Sequence, residues 1–201
     1  MFGKLVGPDI VNMIENREFA AVRASLMGLS VLFIGEMLTA TAMGYFQDEL
    51  SRAVVLAMFI PLIISSGSNN GSQAASLVIR SLALGELRML DWCRVLVREL
   101  ASGLALGCVL GSIALLRILC WPTRLKLYGE HYAMVAFTVA VALIGVVLYG
   151  TFAGAMLPIL LRRLRLDPAV MSAPLVATLV DVTGIIIYFT IAALLLRRTL
   201  L

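Results

Sequence analysis

Charge is what this sequence has least of. Asp, Glu, Lys and Arg make up 14% of its 201 residues, where soluble domains carry about 25%, and 61% of the residues are hydrophobic. Histidine is nearly absent, with His131 alone, and the three cysteines Cys93, Cys108 and Cys120 show no Cys-x-x-Cys or Cys/His spacing. That argues against metal binding or a disulfide and favours the cysteines as packing residues of apolar helices. No Gly-x-Ser-Gly stands with a membrane histidine, as a rhomboid-like protease would require, and no set of acids recurs on adjacent helical turns, as a CDP-alcohol head-group transferase would require. An enzyme is therefore not expected. Runs of alternating polarity are missing, which excludes a membrane β-barrel. No basic helix or aromatic-basic platform suits nucleic acid.

What the sequence has instead is apolar length. Mean hydropathy is +1.01, and a chain of this size has no aqueous core able to hold so many apolar side chains. A spanning helix needs roughly 20 mainly apolar residues. Such stretches run near Val22 to Met43, Ala53 to Leu84, Val95 to Leu119, Ala133 to Leu161 and Ala169 to Leu196. The expected fold is an all-α membrane protein with five transmembrane helices in the lipid bilayer. Residues 1–19 lack the sustained apolar run of a cleavable signal, and Gly7-Pro8-Asp9 before Ile10, Val11, Met13 and Ile14 predicts a short, capped amphipathic helix at the membrane surface. Residues 20–201 then form the membrane domain.

Charge sets the expected orientation. With the N-terminus inside, Lys4, Arg17, Arg23, Arg80, Arg88, Arg94, Arg98, Arg162, Arg163 and Arg165 are cytoplasmic, ten of the sixteen basic residues. Arg52, Arg117, Arg124, Lys126, Arg197 and Arg198 fall outside with Asp48 and Glu49. The expectation is a multi-pass cell-membrane protein with its N-terminus in the cytoplasm and its C-terminus outside. The net charge of +4 belongs to loops facing anionic headgroups.

Polar residues interrupt two spans. Ser65-Ser66-Gly67-Ser68-Asn69-Asn70-Gly71-Ser72-Gln73 contains no large apolar side chain. Lipid does not accept such a face, and Gly67 and Gly71 weaken a helix, so the second helix is expected to break there and line a cavity. In the last span, Asp181 is the deepest acid. Pro174, Ala177, Thr178, Asp181, Gly184 and Tyr188 recur at helical spacing as one small or polar stripe, opposite bulky Leu175, Leu179, Val182 and Ile186. A carboxylate at membrane depth marks a pathway or a partner, and every basic residue lies near a segment end. Glu36 in the first span is a second intramembrane acid outside any evident stripe. His131, beside Glu130 and Tyr132, reads as an interfacial, solvated residue.

These residues resemble the membrane domain of the MgtE-type magnesium channel and transporter family, from about Ala21 to the C-terminus. Pro61 through Gln73, followed by Arg80, is similar to that family's Pro-led Gly-Gly-Asn-x-Gly-x-Gln signature. Leu157-Pro158 and Asp167-Pro168-Ala169, leading into Ser172-x-Pro174, Thr178, Asp181 and Gly184, are similar to its last helix. Ser68 stands where the family commonly has a second Gly, and Gln47 where an acid often follows the Phe. The resemblance implies a homodimer with a central pore lined by the second and fifth helices of both subunits. It also implies that Asp181 binds the permeating ion, that Ala177 lines the pore one turn away, and that Asp167 is an acid near the cytoplasmic mouth. Asn69, Asn70, Gln73, Thr178 and Gly184 are further expected pore-lining positions. The family's cytoplasmic N-domain and paired CBS domains have no counterpart before Ala20, so a membrane domain alone is expected. No separate regulatory protein is identifiable from the sequence.

The expected function is movement of hydrated Mg²⁺, with Mn²⁺, Co²⁺ or Ni²⁺ as other candidate ions, through a pore on the dimer axis. The alternative is an exchanger coupling Mg²⁺ to Na⁺ or H⁺.

Overall fold

The structure, a computed structural model, describes residues 8–48, 54–87 and 91–196. Its helices are α1 (Pro8–Tyr45), α2 (Val54–Ala57), α3 (Ile60–Ala83), α4 (Trp92–Leu119), α5 (Arg124–Tyr128), α6 (Tyr132–Arg163) and α7 (Pro168–Leu196). Among the described residues five segments are long and apolar enough to cross a membrane: the C-terminal half of α1, α2 with α3, α4, α6 and α7. The described residues contain no strand. Lys4, Glu49, Arg52, Ala53, Arg88, Arg197 and Arg198 lie outside the described residues.

The N-terminal helix differs from its expectation. It begins at Pro8 but runs without interruption to Tyr45, so residues 8–19 form the opening turns of the first long helix. The local reason is composition: Glu15, Glu18, Arg17, Ala20 and Ala21 are good helix formers, and no Gly or Pro intervenes before Gly28.

The second span is interrupted, but at Met58–Phe59 rather than within Ser65–Gln73, which is continuous helix. Proline explains the position. Pro61 has no N–H to give the Ala57 carbonyl, so the chain turns through tighter bonds, Met58 N to Val55 O at 3.3 Å and Phe59 N to Leu56 O at 3.1 Å, before α3 starts.

The glycines expected to weaken that helix bring it against α6. A Cβ on Gly71 would stand 2.6 Å from the Gly150 carbonyl oxygen, and Cβ atoms on Gly150 and Gly154 would overlap the carbonyls of Gly67 and Gly71. Paired small-xxx-small patterns of this kind let two membrane helices touch along their backbones. The other side of α6 takes α4 in the same way: a Cβ on Gly107 would lie 3.0 Å from the Ile144 Cα, and one on Gly111 2.9 Å from the Ala140 carbonyl oxygen. Thus α6 is the central helix, packed on α3, α4 and α7, while α1 packs chiefly on α7. At one end of the bundle Arg162 donates to the Leu82 carbonyl at 2.9 Å, tying the last turns of α3 and α6 together.

Candidate polar site between α1, α3 and α7

Asp181 sits near the middle of α7, 181−168 = 13 residues from its start and 196−181 = 15 from its end. At about 1.5 Å per residue this is roughly 20 Å from either terminus, the depth of a bilayer centre. Its side chain opens into a cavity of about 510 Å³ between three helices. The α7 wall is Asp181 and Ile185. Glu36, Thr39 and Met43 come from α1, and Ile60, Pro61, Ile64, Ser65, Ser68 and Asn69 from α3. Among the described residues no side chain donates a hydrogen bond or ion pair to Asp181.

The small stripe on α7 is divided among three neighbours. Gly28 of α1 approaches Pro174, where an added Cβ would lie 3.5 Å from the ring, and Gly35 meets Thr178, whose hydroxyl would be 2.6 Å from such a Cβ. Thr178 lies against α1 and donates to the Val31 carbonyl at 3.4 Å. Gly184 is buried, facing Ile64 and Val146 at 2.7 and 3.2 Å from the position of a Cβ. Tyr188 is fully buried and donates to Leu56 at 2.9 Å. Between these two packing zones, only Asp181 of the stripe reaches the cavity. Ala177, one turn earlier, is half-buried.

On α3, Asn69 lines the cavity and donates to the Ser65 hydroxyl at 3.2 Å. Asn70 turns the other way and donates to the Thr151 hydroxyl of α6, which itself donates to the Val147 carbonyl at 2.8 Å. Gln73 is exposed beyond the cavity, continuing the outward polar face of Ser65, Ser68, Asn69 and Ser72. Asp167 lies apart. It precedes α7, and its Oδ1 accepts the Ala169 N–H at 2.9 Å, a cap of the helix start. Fourteen residues (181−167) separate it from Asp181, about 21 Å along the helix.

Sequence reasoning left Glu36 outside any stripe, yet it shares the cavity with Thr39. The spacing Glu36, Thr39, Met43 at i, i+3 and i+7 is the signal that identifies this face. Thr41 is on another face and bonds back to the Met37 carbonyl at 2.9 Å. Ser65 and Ser68, part of the polar run expected to line a cavity, do line this one.

A larger cavity of about 690 Å³, lined by Trp92, Tyr149, Phe152 and Met156 among others, is apolar, with Arg163 as its only charged side chain among the described residues. It has nothing to attract a cation. The chemistry therefore lies at the smaller cavity: carboxylates, hydroxyls and an amide oxygen at membrane depth. Among the described residues no three His, Cys, Asp or Glu side chains converge on one point, so these residues offer an ion few protein ligands and leave room for water. Six waters at about 30 Å³ each occupy roughly 180 Å³, well within the 510 Å³ present.

Comparison with known proteins gives a consistent picture. Residues 60–191 match the model of the MgtE family, described as a divalent cation transporter. The magnesium transporter MgtE of Thermus thermophilus is 38% identical over 190 residues, covering 94% of this chain and 40% of that protein. The protein of the same name from Enterococcus faecalis is 30% identical over 196 residues, covering 98% of this chain and 41% of its own length. That from Bacillus subtilis is 32% identical over 173 residues, 86% of this chain and 36% of the relative. The chain thus spans about 40% of the length of these relatives.

Proposed function

We propose, given that this chain belongs to the MgtE family of divalent cation transporters, that it carries hydrated Mg²⁺ across a membrane past Asp181. The observation that supports this most is a carboxylate at mid-membrane, without an ion pair among the described residues, opening into a hydroxyl-lined cavity. Mg²⁺ prefers octahedral oxygen ligation and sheds water reluctantly. A site with few protein ligands and ample room therefore suits it better than a closed cage. Binding must stay weak enough for release, and one carboxylate per subunit meets that need. Mn²⁺, Co²⁺ and Ni²⁺ share the preference for such ligands less strictly and are candidate competing ions.

The working unit in this reading is a homodimer. In a single chain the polar face of α3, Ser65, Ser68, Asn69, Ser72 and Gln73, points outward, and lipid does not accept such a face at membrane depth. A second copy covering it across a two-fold axis would close the path and place two Asp181 side chains around one doubly charged ion. Ala177 then lines the passage one turn away, and Asp167 supplies negative charge near its cytoplasmic mouth. The basic residues favour a cytoplasmic N-terminus, an outside C-terminus and the cell membrane as location.

The test is Mg²⁺ flux into liposomes containing the purified protein. Asp181→Asn should abolish flux while leaving insertion and elution volume unchanged. Normal flux through correctly inserted Asp181→Asn would overturn the proposal. Flux that requires an opposing Na⁺ or H⁺ gradient would assign the same site to an exchanger.

A further inference from the structure

We propose that Glu36 is a second charged group of the ion pathway, facing Asp181 across the cavity and setting its preference for doubly over singly charged cations. The inference rests on the reading of Asp181 as the permeation site.

Glu36 lies eight residues (36−28) from one end and nine (45−36) from the other of the Gly28–Tyr45 span. An acid at that depth is costly and normally faces an interior pathway or a partner. Among the described residues Glu36 has no hydrogen bond or ion pair. What it has is Asp181: both line the same cavity, one from α1 and the other from α7. Two like charges in a partly dry cleft repel, and a shared cation relieves that repulsion.

The backbone delivers Glu36 to this place. Gly35 lets α1 approach α7 so closely that an added Cβ would meet Thr178 at 2.6 Å. That contact fixes α1 one turn from Asp181, and the next residue is Glu36. Thr39 follows on the same face, with Ser65, Ser68 and Asn69 opposite on α3, so neutral oxygens surround both acids and can hold the waters of a hydrated ion.

Charge arithmetic then assigns the role. A divalent ion gains twice the attraction of a monovalent one from each carboxylate at equal distance, so a second acid widens the gap between them. Packing alone does not explain Glu36, because its side chain is exposed in the chain.

The experiment compares wild type, Glu36→Gln, Glu36→Asp and Asp181→Asn in proteoliposomes, following Mg²⁺ flux with and without K⁺. Glu36→Gln should raise the half-saturating Mg²⁺ concentration roughly tenfold and make flux sensitive to K⁺, while Glu36→Asp, which keeps the charge, should keep the K⁺ resistance. An unchanged half-saturation and unchanged K⁺ resistance in Glu36→Gln would overturn this inference, leaving the Asp181 reading intact if Asp181→Asn is dead. Normal flux in Asp181→Asn would overturn both. Should Glu36→Gln fail to insert, Glu36→Cys in a background with Cys93, Cys108 and Cys120 replaced by Ala gives a separate readout. Mg²⁺ should slow its reaction with a water-soluble methanethiosulfonate, and a rate indifferent to Mg²⁺ would count against the proposal.

Discussion

The hydroxyl of Tyr188 on α7 donates to the carbonyl of Leu56 at 2.9 Å, at the point where the second span is interrupted. Leu56 already accepts the Phe59 N–H at 3.1 Å, so the tyrosine fills its second lone pair in a place water does not reach. Tyr188→Phe keeps the ring and deletes this bond. The expected loss is about 1–2 kcal/mol, read as a lower unfolding temperature in detergent, with Tyr188→Ala distinctly worse because a buried ring is also removed.

The glycine contacts of α6 predict a sharp positional contrast. Gly150→Leu should prevent a monodisperse fold, because even a single added carbon overlaps the Gly67 carbonyl, a backbone atom that cannot swing aside. Gly44→Ala meets nothing within 4 Å and should gain up to about 1 kcal/mol of helix stability. Size-exclusion profiles of the two fluorescently tagged variants make the comparison.

Asp167 separates cap from charge. Asn caps a helix about as well as Asp, so Asp167→Asn should melt like wild type, whereas Asp167→Ala should lose about 1 kcal/mol. If its charge draws cations to the mouth, Mg²⁺ flux through Asp167→Asn falls at low ionic strength, and the deficit shrinks once the screening length drops to about 10 Å near 0.1 M salt. Flux measured across a salt series checks this.

The parts of the fold legible from sequence were those set by local composition: the five spans, the depth of Asp181 and the polarity of residues 65–73. Partnership was not. Gly67 and Gly71 read as weak points because a glycine in isolation is a poor helix former. Their close approach depends on Gly150 and Gly154, some eighty positions later (150−67 = 83). The interruption did have a local sign, Pro61, but the polar run drew it several residues downstream. The α7 stripe is divided among neighbours that its own spacing does not identify. Pro174 and Thr178 receive α1, Gly184 and Tyr188 meet the second span, and Asp181 alone of the stripe is left open to the cavity. Glu36 is 145 positions (181−36) from its counterpart, a pairing no helical period reveals.

Because α3 and α4 are seated on α6 main chain to main chain, the three behave mechanically as one plank. Sliding any of them lengthwise would drive carbonyl oxygens into α-carbons, a barrier that side-chain interfaces with flexible ends do not have. α1 has no such seating: it meets mainly α7, where Gly35 faces the Thr178 side chain, so a tilt of α1 would change the space beside Asp181 without disturbing the plank.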